Sequence, residues 1–460
     1  MDNKLTQGNV YKTLAGFAVP FLLANLLQVL YGAADMLVVG QFAQTADVSA
    51  VSIGSQIMMM LTHVVLGLST GATVLLGQFC GAKRERDMAK TVGASVWLFA
   101  GIAVILTAGL LVFRDWIIAV MNTPPEAVGA AKSYLLICSL GMIFIVGYNI
   151  VSGILRGMGD SKTPLLFVAV ACIINIAVDI VLVGGVHLGA AGAAAATVLA
   201  QAVSFLFALL FLRHKGLGFQ FRRQDVRFSA DFISRIFTTG APLALQNALV
   251  GISFLLITLV INKMGLVASA AVGVVEKLIE FLMLPSAAFS AAVAAMAAQN
   301  FGAQKFDRAK KCMYAAVVFC FIFGVLVALF CQFRGELLTA VFTKEGAVIT
   351  AAAQYLQTYA LDCVLVAFIF NMNGYFNGAG YAAFSMTHSL IAAFAIRIPA
   401  TLIFSRMPDV TLKLLGCAAP LSSLGSVFFC VGFLFWLSRR PDRLEEKFRT
   451  FSAEHEKTSL

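Results

Sequence analysis

The sequence predicts an all-α polytopic membrane protein of twelve transmembrane helices, built as two six-helix bundles related by a pseudo-two-fold axis along the membrane normal. Three observations lead there. The 460 residues are 60% apolar and only 12% charged, with a mean hydropathy of +0.90, which is too little charge to coat a water-soluble chain of that length. Apolar runs long enough to cross a hydrocarbon core of ~30 Å recur along nearly the whole chain. Three short motifs recur at a constant offset of 221 or 222 residues.

The apolar runs cover 14–40, 50–76, 91–113, 130–154, 164–185, 190–212, 236–263, 270–297, 311–332, 350–376, 384–406 and 412–437. Gly and Pro inside several of them are compatible with helix, because membrane helices tolerate both. A large β-barrel would show short alternating segments instead. The polar stretch up to Lys12 leads directly into a full-length run, without the short apolar core and small-residue cleavage site of a signal peptide. The nine cysteines lack CxxC spacing and mostly fall inside apolar runs, so they read as small core residues rather than a disulfide frame or a metal site.

The net charge of +10 is a topology signal. With twelve spans, the segments on the side of both termini carry 24 Lys and Arg, against 7 on the other side; Lys277 and Arg397 lie within spans. The basic side faces the cytoplasm, so no nucleic-acid partner is expected, and the chain is expected in the cytoplasmic (inner) membrane with both termini in the cytoplasm.

The repeat is the strongest organisational feature. Gly77-Gln78-Phe79-Cys80-Gly81-Ala82-Lys83 after the second run is echoed by Ala298-Gln299-Asn300-Phe301-Gly302-Ala303-Gln304 after the eighth. Leu155-Arg156-Gly157-Met158-Gly159 is echoed by Phe376-Asn377-Gly378-Ala379-Gly380, and Pro20 with Asn25 by Pro242 with Asn247. Six spans per copy is an even number, so both copies insert with the same orientation. This predicts an N-lobe at 1–212, a cytoplasmic linker at 213–235, a C-lobe at 236–437 and a cytoplasmic tail at 438–460.

Ionisable groups at membrane depth cost at least ~2.5 kcal/mol each on insertion scales and call for a reason. Gln28, Tyr31 and Asp35 are spaced i, i+3, i+7 on one helix face, and Asn175 and Asp179 are i, i+4. Thr197 follows the small-residue run Gly192–Ala196, which lets neighbouring helices approach closely. A buried Asp among such groups can take a proton or bind a hard cation such as Na⁺ through oxygen ligands; interhelical hydrogen bonding alone is the plainer alternative. In the second half, Glu276 and Glu280 could share Lys277 as counter-ion, with Asp362 and Arg397 further on. There a structural cluster and a substrate site are both compatible with the residues. Five intramembrane acids against two bases would favour cationic or protonated organic molecules. No GxxxxGK[ST] motif, metal-ligand histidine spacing or nucleophile–base arrangement is present. Neither direct ATP drive, nor an ATP-binding subunit, nor enzymatic activity is therefore expected.

These residues resemble the multidrug and toxic compound extrusion (MATE) family over essentially the whole chain, and most closely its prokaryotic DinF-like branch. The resemblance is carried by Pro20 fifteen residues before Asp35, the Gln28/Tyr31/Asp35 face, Asn175-x-x-x-Asp179, Thr197 eighteen residues beyond, and the two repeated glycine motifs. It implies two bundles around a cleft and export of organic compounds by alternating access, driven by Na⁺ or H⁺, with no cofactor. The chain would act as a monomer. Asp35, Asn175, Asp179 and Thr197 match the family's N-lobe cation site, Gln28, Tyr31 and Asn149 match polar cavity residues, and Pro20 matches a proline where the first helix bends. The match departs in the second half. The seventh span lacks the glutamate of other branches, and Asp362 falls one turn earlier than their acidic residue. Flipping of a lipid-linked sugar or cell-wall precursor is the alternative function, and an uncoupled channel or bundle a more distant one.

Overall fold

The computed structural model describes residues 4–408, 410–440 and 442–448; the opening residues up to Asn3 and the end of the tail, 449–460, lie outside the described residues. Seven helices form the first half: α1 (Val10–Phe42), α2 (Thr45–Gly81), α3 (Glu85–Val120), α4 (Val128–Leu140), α5 (Met142–Gly157), α6 (Lys162–Asp179) and α7 (Gly189–Lys215). Nine form the second: α8 (Ala230–Asn262), α9 (Leu266–Gly302), α10 (Phe306–Thr339), α11 (Gly346–Tyr359), α12 (Asp362–Gly378), α13 (Ala382–Leu390), α14 (Ile398–Phe404), α15 (Leu412–Gly416) and α16 (Ala418–Ser438). Among the described residues ten helical spans are long and apolar enough to cross a membrane singly. Two bent pairs, Pro125–Leu140 with Met142–Gly157 at 49° and Gly346–Tyr359 with Asp362–Gly378 at 47°, bring the number to twelve when each is one broken span. The protein is a multi-pass, all-helical membrane protein.

Five of the predicted runs differ in detail, and one of them, 412–437, is two helices, α15 and α16, that meet at Cys417. Runs 130–154 and 350–376 are not continuous helices but the two bent pairs. The first breaks at Gly141, where a Cβ would stand 2.3 Å from Val198 Cγ2 of α7; the helix turns where it meets its neighbour most closely. Runs 164–185 and 384–406 each contain a π-helical turn, Ile180–Gly185 and Ile391–Arg397. Apolar periodicity carries no mark of such turns.

The chain forms two compact units. Among the described residues, unit one holds Val19–Cys80 and Arg84–Ala244, and unit two holds 4–18, Gly81–Lys83 and the described chain from 245 to 448. The repeat is visible in the packing within each. In unit one Ser69 Oγ of α2 donates to the Asn149 carbonyl of α5 at 3.1 Å; in unit two Ser290 Oγ of α9 donates to the Phe370 carbonyl of α12 at 2.6 Å. Gly153 and Gly374 let these helix pairs touch. A Cβ on Gly153 would meet Ser69 Oγ at 2.2 Å, and one on Gly374 the Ser290 carbonyl oxygen at 2.4 Å. The glycine motifs after α2 and α9 end alike as well: Lys83 and Gln304 both take φ of +58°. Arg84 N–H then returns to the Phe79 carbonyl at 3.0 Å and Lys305 N–H to that of Asn300 at 2.8 Å, so each helix is closed by a left-handed cap.

Unit two has its main core around Met296, Phe301, Met313, Tyr375 and Phe376, which also takes in Leu5, Leu14 and Phe17 from the start of the chain and Leu444 and Phe448 from the tail. The predicted tail is thus partly built into the unit: residues 442–448 are helical and Phe448 stacks on Phe301 at 5.2 Å between ring centroids. In unit one the linker is likewise docked, with Trp97 Nε1 of α3 donating to the Val226 carbonyl at 3.5 Å.

Candidate functional site

Unit one brings the predicted carboxylates together. Asp35 lies past the middle of α1, and Asp179 is the last residue of α6, where the helix loosens into the π-helical turn Ile180–Gly185. Turns of that kind are frequent at functional sites, because they release backbone and re-aim side chains. Asp35 is 5% exposed, and Asn175 and Asp179 are fully enclosed. The Asp35 and Asp179 carboxyl groups lie within hydrogen-bonding reach of each other. Asp35 Oδ1, both carboxylate oxygens of Asp179 and both side-chain polar atoms of Asn175 have no hydrogen-bond partner among the described residues.

Buried polar atoms are normally satisfied, and two adjoining carboxylates cannot both stay ionised without a cation between them. The pair therefore needs a proton or a cation as its partner. Thr197 is half-buried on α7 and makes no hydrogen bond among the described residues. Among the described residues no group of three or more His, Cys, Asp or Glu converges, so the donor set suits a proton or a monovalent hard cation better than a transition metal.

Three further residues, not singled out from the sequence, lie near Tyr31 or Asp35. The Tyr31 hydroxyl lies beside the Gln201 side chain of α7, and Tyr134 and Cys138 of α4 stand together within electrostatic reach of Asp35. Gly54 of α2 makes room for Tyr134: a Cβ there would stand 2.3 Å from the ring. The signals were present but weak. Gln201 is i+4 from Thr197, and Cys138 is i+4 from Tyr134. Of the predicted cavity residues, Gln28 is half-buried without a hydrogen bond among the described residues, while Asn149 donates its amide to the Ile145 carbonyl at 2.8 Å, within its own helix. Pro20 lies inside α1, which continues through it as one helix.

The second-half charges are arranged differently from expectation. Lys277 is not shared: it pairs with Glu280 at 3.3 Å, both substantially exposed. Glu276 instead accepts a hydrogen bond from Thr258 Oγ1 at 3.0 Å. The reason is spacing, since i+1 on a helix points away while i+3 lies alongside. Asp362 opens α12 after the bend and is buried, with both carboxylate oxygens lacking partners among the described residues. Arg397 ends the second π-helical turn with its guanidinium over Phe254 at 4.6 Å and with Nε and Nη1 lacking hydrogen-bond partners among the described residues. Glu276, Tyr359 and Arg397 line a cavity of about 10 Å³, the room of a single water.

A multi-pass helical chain made of two copies of one unit, with a carboxylate pair enclosed in the first copy, is a membrane transporter in its architecture. The chain belongs to the MatE family: the family profile matches it twice, over residues 20–181 and 242–403, each match beginning at the repeated proline. It is 29% identical to the probable multidrug resistance protein YpnP of Bacillus subtilis, over 94% of this chain and 96% of that one. It is 26% identical to the probable multidrug resistance protein NorM of Thermotoga maritima, over 94% of each. The fold is also that of a solved structure described as MATE in the bent conformation, with a TM-score of 0.89 at 20% identity, over 98% of this chain and 99% of the other.

Proposed function

We propose that the chain is a cation-coupled antiporter that exports organic, cationic or amphiphilic compounds by alternating access. The Asp35–Asp179 carboxyl pair carries this reading: two enclosed acids without protein partners must exchange a proton or a Na⁺ with solution. Asn175 and Thr197 complete the coupling site, and Gln28, Tyr31 and Asn149 belong to the substrate cavity beside it. The relatives described as multidrug resistance proteins support the substrate class. The residue set at the pair supports the DinF-like branch. The two lobes, 1–212 and 236–437, sit in the cytoplasmic membrane, with both termini and the 213–235 linker inside. A cysteine at Arg223 should therefore resist an impermeant thiol reagent in intact cells, and one at Gln44 should label. Flipping of a pyrophosphate-linked lipid would call for several free basic groups at membrane depth. Of the two present, Lys277 is committed to Glu280.

Coupling requires a ligand to bind one access state better than the other. The test is efflux from proteoliposomes of stated orientation with Na⁺ and H⁺ gradients imposed separately. Accumulation under at least one gradient supports the antiporter, and equal flux under all conditions would replace it with an uncoupled pathway.

A further inference from the structure

Unit two encloses a polar cluster that the coupling reading does not use. Three helices supply it: Asn373 comes from α12, His388 from α13 and Cys430 from α16. Cys430 is fully enclosed, His388 is 1% exposed and Asn373 7%. His388 Nε2 lies 2.8 Å from Asn373 Oδ1 and 3.5 Å from Cys430 Sγ, and Cys430 Sγ lies 3.9 Å from Asn373 Oδ1. The other ring nitrogen, Nδ1, faces Ser426 Oγ at 3.4 Å. The surroundings are aromatic. Phe384 lies 5.3 Å from the imidazole between ring centroids and stacks on Phe433 at 3.9 Å.

Hydrogen bonding alone serves this cluster poorly. The His388–Asn373 contact is of good length, but the Ser426 contact is long, and a thiol is a weak donor even at close range. A metal ion can use the same three atoms better. The triangle they form has three acute corners, and a point inside it lies about 2.0 Å from each of them. A d¹⁰ ion such as Zn²⁺ binds a histidine nitrogen at about 2.0–2.1 Å and a thiolate at ~2.3 Å, so shifts of a few tenths of an ångström complete the site. Thiolate with imidazole selects Cu(I) or Zn²⁺ among the common ions. Charge separates these two. One thiolate neutralises a monovalent ion, whereas a divalent ion keeps a net charge in an aromatic core, which is costly. Among the described residues no further Cys, Asp or Glu joins His388 and Cys430 to offset it.

We propose that Asn373, His388 and Cys430 form a binding site for a soft monovalent cation, Cu(I), which staples α12, α13 and α16 together. The protons balance. The thiol proton leaves to solvent as the Cu–S bond forms, and the ring proton moves from Nε2 to Nδ1, so that Nε2 binds the ion and Nδ1–H donates to Ser426 Oγ. A hydrogen bond on the far nitrogen is what commonly fixes the ring of a metal-bound histidine. The three ligands stand within about two turns of the helix ends at Gly378, Ala382 and Ser438. Lys447 of the tail reaches the Ala379 carbonyl at that end, at 2.9 Å, so the ion has a short path in from the tail side. Spacing along the chain hides such a site, because its donors come from three helices and one of them is an amide.

The test uses the full chain in detergent, under argon with ascorbate, with Cu(I) offered as its bicinchoninate complex. Cys172 and Cys417, the native cysteines that are not fully buried, are replaced by Ser in the parent. This parent should take up a single equivalent of copper and melt several degrees higher with it. Cys430→Ser should bind at least tenfold more weakly and lose the melting shift. His388→Gln, which keeps the thiol, should do the same and covers the case in which Cys430→Ser folds poorly. X-ray absorption of the parent with its copper should show one sulfur neighbour together with nitrogen or oxygen. Zn²⁺ should bind the parent at least tenfold more weakly than Cu(I). A parent that takes up no copper, or variants that bind it as the parent does, would overturn the site. Two sulfur neighbours would place the copper on other thiols and overturn it equally, and Zn²⁺ binding as tightly would overturn the choice of a monovalent ion. None of these readouts involves transport, so the site and the antiporter reading stand or fall separately.

Discussion

Replacing Asp179 by Asn leaves the shape of the carboxyl pair almost unchanged and removes one of its two titratable charges. Asp179 is fully enclosed and, apart from the adjoining Asp35 carboxyl, its oxygens have no hydrogen-bond partner among the described residues, so the amide disturbs no hydrogen bond outside the pair. Two unit charges 4 Å apart at an effective dielectric of 20 repel by roughly 4 kcal/mol, and the substitution lifts that repulsion whenever the cation has left. The variant should therefore insert, fold and melt at least as high as the wild type in the absence of coupling ion. Its loss lies elsewhere. Each coupling charge beyond that of the exported molecule draws ~2.3 kcal/mol from 100 mV of membrane potential, about fiftyfold in accumulation, and a tenfold ion gradient adds ~1.4 kcal/mol, a further tenfold. Loss of one coupling ion should thus collapse accumulation of a neutral substrate by about two orders of magnitude or more. A second readout is thermal: an ion at 100 times its Kd stabilises the folded protein by ~2.7 kcal/mol, and this ion-dependent rise should vanish in Asp179→Asn. Proteoliposome uptake and melting in detergent with and without ion measure the two effects. A variant that keeps ion-dependent accumulation and the ion-dependent melting shift would refute the assignment and move coupling to Asp362 or Glu276.

The remaining predictions concern packing and capping. Gly374→Ala should destabilise unit two by roughly 1–3 kcal/mol through overpacking, because its Cβ would meet the fixed Ser290 carbonyl; Gly153→Ala should cost less, since the Ser69 hydroxyl it meets can rotate away. Thermal melting of the pair decides it, and equal losses would argue against this account. Asp160 opens α6 by accepting from Lys162 N–H and Thr163 N–H at 3.1 and 3.0 Å and from Thr163 Oγ1 at 2.6 Å, and it pairs with Lys215 at 3.3 Å. Burial pushes its carboxyl up, but the Thr163 hydrogen bonds and the Lys215 ammonium outweigh that and hold it below the usual range. The stability it contributes, ~1 kcal/mol for a cap of this kind, is then complete above the unfolded carboxyl value of about 4 and is lost as pH falls through the lower folded value. Melting curves of Asp160→Ala and wild type should converge in that acidic window, and a gap that persists below it would rule this out.

The fold was legible because its signals are long and additive. Twelve apolar runs, a charge asymmetry and a repeat at offset 221 each integrate over many residues, and the Ser69/Ser290 bonds show the same offset in space. The carboxyl pair was legible for a different reason: an Asp in lipid is costly enough to stand out alone. Its surroundings were not. Gln201, Tyr134 and Cys138 are ordinary helix residues until tertiary packing brings α4 and α7 alongside α1, and nothing local marks Gly141 as the place where a span bends. Nearness in sequence groups Lys277 with both Glu276 and Glu280, whereas helix geometry turns it toward Glu280. The placement of residues 4–18 with unit two was likewise invisible, since the groups that hold the start of this segment, Arg308 and Phe301 among them, lie about three hundred residues away.

The π-helical turn after Asp179 bears on how such a chain can vary in length. A π turn carries one residue more than the α-helix needs for the same advance. Deleting one residue elsewhere in a span would swing every following side chain by about 100°. Within Ile180–Gly185 the surplus residue is already there to be removed. A single-codon deletion would tighten the turn to ordinary α winding, leaving Asn175 and Asp179 upstream and Gly189 of α7 downstream in place. The segment that follows the enclosed Asp179 carboxylate is therefore also the point in this span where descendants of the gene can shorten without scrambling the bundle.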